Sequence, residues 1–96
     1  MCVDNLKERM WYETSCEPKR KDHREKHEYW CRKIDEITPD VNYFRFYKNT
    51  TIRLGFIVTC EVTNYRHQGG TRLYSSRKSS CIEALKDIYI QIRDLL

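Results

Sequence analysis

The feature that most constrains this chain is the strict alternation across residues 54–63, LGFIVTCEVT. Leu54, Phe56, Val58, Cys60 and Val62 fall on one side, and Ile57, Thr59, Glu61 and Thr63 on the other. A period of two in a run rich in β-branched and aromatic residues predicts a strand with one face buried. Such a strand needs pairing partners and an apolar cover for its inward face.

The pairing partners lie on either side of it in sequence. In VNYFRFY, residues 41–47, Phe44 and Phe46 point one way and Tyr43, Arg45 and Tyr47 the other. Lys48–Thr51 supplies a plausible turn between these strands. Gly69-Gly70 ends the following loop, and a third strand is expected over Thr71–Ser75. The connections are too short for parallel crossovers, so the three strands form an antiparallel meander.

The cover comes from the C-terminal segment. Ser80 and Glu83 match a capping box, and Ile82, Leu85, Ile88 or Tyr89, Ile92 and Leu95 recur at helical spacing. Upstream, Val3, Leu6 and Met10 predict a short helix over residues 3–16, which Pro18 interrupts. A longer helix is expected over 18–37, highly charged at first, then apolar at Trp30, Ile34 and Ile37. Thr38-Pro39 ends it.

The expected fold is therefore α+β. It has a three-stranded antiparallel sheet, a C-terminal helix packed on one face and a helical N-terminal segment, in the order α(α)βββα. The 96 residues suit a single domain, with 3–37 helical and 41–96 the βββα unit.

Charge is distributed unevenly over this plan. Residues 1–40 hold nine Lys/Arg against ten Asp/Glu, whereas residues 41–78 hold seven Lys/Arg against Glu61 alone. A local cationic excess attracts polyanions, whether RNA or an acidic protein surface, although a solvated face looks the same in sequence. The five cysteines include no Cys-x-x-Cys pair, and residues 1–10 contain no apolar run of the signal-peptide kind. An intracellular, cytoplasmic protein with free thiols is expected, with no membrane association.

The order and spacing over about residues 30–96 resemble the double-stranded RNA-binding domain family. The likeness rests on the Pro-containing link before Tyr43, the alternating strand FIVTCEV, and Ser76-Arg77-Lys78 before the last helix with Ala84 and Leu85 on its face. In the family, the basic residues that follow a serine there contact phosphates. The resemblance implies RNA binding, with Arg77 and Lys78 at the phosphate positions. The family's minor-groove histidine has no counterpart in Lys48–Thr51, and its third lysine falls on Cys81.

The candidate nucleic-acid-binding residues are Arg66, His67, Arg72, Tyr74, Arg77 and Lys78, cations and rings suited to phosphates and bases. Tyr43, Arg45 and Tyr47 form a second candidate surface, of a composition also favoured at protein interfaces. The alternative function is accordingly a protein-interaction module, an inhibitor or adaptor of a larger protein, and a homodimer is possible. His23, His27 and Cys31 share a helical face, but their spacing matches no zinc finger, and no metal or cofactor is expected. No phosphate loop, nucleophile elbow or zinc-protease motif occurs, so no catalytic residues and no enzymatic activity are expected.

Overall fold

The structure, a computed structural model, describes residues 6–38, 40–48, 55–63 and 70–95. Helix α1 (Leu6–Arg9) leads into strand β1 (Met10–Tyr12) and a 3-10 turn at Thr14–Cys16. Helix α2 (Lys21–Ile37), strands β2 (Val41–Lys48), β3 (Phe56–Thr63) and β4 (Thr71–Lys78), and helix α3 (Cys81–Leu95) follow. The sheet has four strands in the order β1-β2-β3-β4.

The antiparallel β2-β3-β4 meander is as expected, but the sheet is mixed, because β1 pairs parallel to β2. The helix expected over 3–16 is thus corrected. Helical geometry ends at Arg9, and Met10, Trp11 and Tyr12 align with Phe44, Arg45 and Phe46. Helical spacing at Leu6 and Met10 concealed a switch to alternation, in which Met10 and Tyr12 pack on the core while Trp11 is 59% exposed. Aromatic side chains suit such a pleated, half-buried surface.

The alternation in β3 is realised in three dimensions. Val58, Cys60 and Val62 are fully buried on the helix side, joined by Phe44 and Phe46 of β2 and by Tyr74 of β4. Helix α2 contributes His27, Cys31 and Ile34, and α3 contributes Cys81, Ala84, Leu85, Ile88 and Ile92. The stripe expected on α2 is rotated: Trp30 and Ile37 pack at the margin of the core and Ile34 lies at its centre. Of His23, His27 and Cys31, which share a helical face, His27 and Cys31 are core positions and His23 is exposed.

Local chemistry fixes the ends of these elements. The Ser80 hydroxyl accepts the Glu83 amide at 3.2 Å, so α3 begins after the predicted cap. Helix α2 closes with the Thr38 amide donating to the Ile34 carbonyl at 3.1 Å. Asp40 then takes a positive φ of 57° and turns the chain into β2, a conformation aspartate tolerates better than most residues. Strand β4 extends to Lys78, beyond the expected Ser75, so Ser76, Arg77 and Lys78 belong to the strand and do not open α3. Buried Ser76 is held there by donating to Asp87 of α3 at 2.7 Å.

Candidate functional site: a cationic end and an open sheet face

The pleat sorts the candidate residues onto two surfaces. On the helix side, the last row of the sheet reads Lys48, Phe56, Lys78 across β2, β3 and β4. The two lysines therefore flank one aromatic ring, and the Lys48 ammonium sits 5.8 Å from its centroid. Arg77 is one residue before Lys78 and projects from the opposite face at the same end.

Both long helices begin at this end. A pocket of about 280 Å³ is walled by Phe56, by His23 from the first turn of α2, and by Cys81 and Ile82 from the first turn of α3. Cys16, Pro18 and the ring of His27 complete its apolar side. Helix N-termini carry partial positive charge, so two of them reinforce the potential of Lys48 and Lys78 on the helix side. Asp22 and Glu83 stand in the first turns of the two helices, and one turn further along α3 the Asp87 carboxyl is held below the usual range by the Ser76 hydroxyl, then by Gln91 and the charge of Lys78.

The other candidates lie elsewhere. Arg72 aligns with Val62 at the far end of β4, six residues or about 20 Å from Lys78. Its guanidinium rests 5.1 Å from the Tyr74 ring, and Tyr74 itself is buried at 3% exposure. The fold thus brings Lys48 and Lys78 onto one face, places Arg77 at the same end on the opposite face, and sets Arg72 and Tyr74 apart from them. Arg66 and His67 lie outside the described residues. In sequence, Lys48 counts in the cationic stretch but falls in the expected turn and not among the binding residues; the signal for its face is its phase with Phe44 and Phe46 in the same strand.

Tyr43, Arg45 and Tyr47 do share the open face of the sheet. Trp11 stacks on Tyr43 with centroids 5.5 Å apart and planes 7° from parallel. Arg45 lies 5.0 Å from the Tyr47 ring centre and pairs with Glu13 at 3.0 Å. Partial burial, then the Glu61 carboxylate, raise the pKa of the Tyr43 hydroxyl and keep it protonated. Across β4, Leu73 aligns with Glu61 and is 59% exposed. This face is aromatic and close to charge-balanced, whereas the helix end is cationic. Strand β4 is also an outer strand, and its cations Arg72, Arg77 and Lys78 discourage edge-to-edge pairing of sheets.

Comparison with known protein families, with curated proteins and with solved structures gives no match. Among the described residues, no three His, Cys, Asp or Glu side chains come together as metal ligands. Cys16, Cys31, Cys60 and Cys81 are free and buried. Burial pushes the Cys60 and Cys81 thiols up to about 12, which suits packing and not nucleophilic attack. No described helix is long and apolar enough to cross a membrane.

Proposed function

We propose that this protein is a non-enzymatic nucleic-acid-binding protein that engages RNA at its cationic end. The observation that carries the proposal is the row Lys48, Phe56, Lys78, set beside the starts of α2 and α3, with Arg77 on the other face of the same end. Two lysines in register across a rigid sheet present charge at fixed spacing, and phosphate recognition depends on that positioning. The order α2-β2-β3-β4-α3 is the order implied by the resemblance to double-stranded RNA-binding domains, whose members read duplex shape and phosphates. The resemblance supports a duplex over a single strand as the preferred ligand.

A second reading has its own observation. The coplanar Trp11–Tyr43 pair, with exposed Leu73 across Glu61 on the same face, is the composition of a protein-interaction hot spot on a charge-balanced face. An adaptor or inhibitor would dock there.

The test is a fluorescence-anisotropy titration with an RNA duplex of about 20 base pairs, long enough for the roughly 16 that such domains span, alongside an RNA single strand and a DNA duplex. Tightest binding to the RNA duplex is expected. Absence of binding to all three at low salt refutes the proposal and leaves the open face as the leading surface.

A further inference from the structure

The pocket between the two helix starts is more apolar than phosphate binding requires. Phe56, Pro18, Cys16 and Ile82 give it carbon and sulfur walls, while His23 and Ser80 place polar atoms at its margin. Its volume of about 280 Å³ is close to the lower end for small-molecule pockets, roughly 300–1,000 Å³. The cations stand beside it. Lys48 lies over the Phe56 ring, which forms one wall of the pocket. Lys78 borders Phe56 from the opposite strand.

An occupant that satisfies all of these features has a compact apolar body and carries an anion next to it. A nucleobase offers a flat apolar face for Phe56 and Ile82, edge atoms for His23 and Ser80, and a phosphate within the reach of flanking lysines. A base inside a duplex is stacked and cannot enter, so the base must be unpaired.

We propose that this pocket receives one unpaired nucleobase, at a bulge or an overhanging end, while Lys48 and Lys78 hold the adjoining phosphates. The proposal rests on the nucleic-acid reading above and specifies its ligand: a duplex bearing an unpaired nucleotide. The duplex supplies the rigid phosphate track, and the extruded base anchors it in register. The Asp87 carboxylate is engaged by the Ser76 hydroxyl and the Gln91 amide and is not among the residues lining the pocket.

The experiment compares two RNA duplexes of equal length, one fully paired and one with a single unpaired adenine, titrated into the whole chain. About tenfold tighter binding of the second is expected, the size of one base stacked on an aromatic or apolar wall. Ile82→Trp fills the pocket from a partly exposed position and should abolish the preference. Acrylamide quenching of 2-aminopurine at the unpaired position gives a readout that needs no variant, and protein binding should shield the fluorophore. Equal affinity for the two duplexes, or 2-aminopurine left fully accessible in the complex, overturns the pocket assignment while leaving duplex binding intact. Failure of both duplexes to bind at low salt overturns the nucleic-acid reading and the pocket assignment with it.

Discussion

The Tyr12 hydroxyl lies 3.0 Å from Nδ1 of His27 and fastens the short strand β1 to helix α2. Both rings also stack on Phe46, at 4.5 Å for Tyr12 and 5.2 Å for His27. A three-residue parallel strand has little stability of its own, so this aromatic triad helps to hold it, together with Arg9, which donates to Asp35 and to the Val41 carbonyl, and the Glu13 amide, which donates to the Phe46 carbonyl. Tyr12→Phe keeps the stacking and removes the hydrogen bond. It is expected to cost about 1 kcal/mol in urea denaturation, with the imidazole left short of a buried partner.

The same histidine makes stability pH-dependent. Burial, helped by the charges of His23 and Arg24, lowers its pKa from 6.5 to about 4. The unfolded chain therefore binds a proton near pH 6.5 that the folded chain refuses until about pH 4. Stability is complete above pH 6.5, declines as pH falls towards 4, and levels off below that. The loss from this group is at most about 3 kcal/mol. His27→Phe should flatten that part of the profile in denaturation curves taken from pH 7 to 4.

Ser80 is the side chain that starts α3, through its 3.2 Å bond to the Glu83 amide. Ser80→Ala should destabilise the fold by about 1 kcal/mol in thermal or urea unfolding.

The open face should be separable from the cationic end. Trp11→Ala removes a stacked but largely exposed ring, for a stability loss of about 0.5–1.5 kcal/mol. RNA affinity should be unchanged in that variant, whereas binding of any protein partner at this face should be lost in a pull-down. An RNA defect in Trp11→Ala would move the nucleic-acid surface to the open face.

Much of this architecture was legible because burial imposes period. Val58, Cys60 and Val62 alternate with Thr59, Glu61 and Thr63 because one face of β3 meets the helices. The cap at Ser80 is equally local. Strand β1 was not legible, because its pairing with β2 is a contact across more than thirty residues and its own three residues fit helical spacing as well. The C-terminal half of β4 was hidden for a different reason. Ser75-Ser76-Arg77-Lys78 has weak strand propensity, and tertiary bonds such as Ser76 to Asp87 and the Gln91 amide to the Ser75 carbonyl hold it. For the candidate site, the sequence identified cations but not their faces. Applying the pleat to β2 would have placed Lys48 in phase with Phe44 and Phe46, and applying it to β4 would have set Arg77 opposite Lys78.

The central claim is that the cationic end holds phosphates, and the salt dependence of RNA affinity tests it most directly. Each phosphate contact contributes about 0.7–0.9 to the slope of log affinity against log salt. The doubly substituted Arg77→Ala/Lys78→Ala protein should bind the RNA duplex at least about tenfold more weakly, with a slope smaller by about 2 and an unchanged melting temperature. An RNA affinity and slope equal to those of the parent protein would contradict the account.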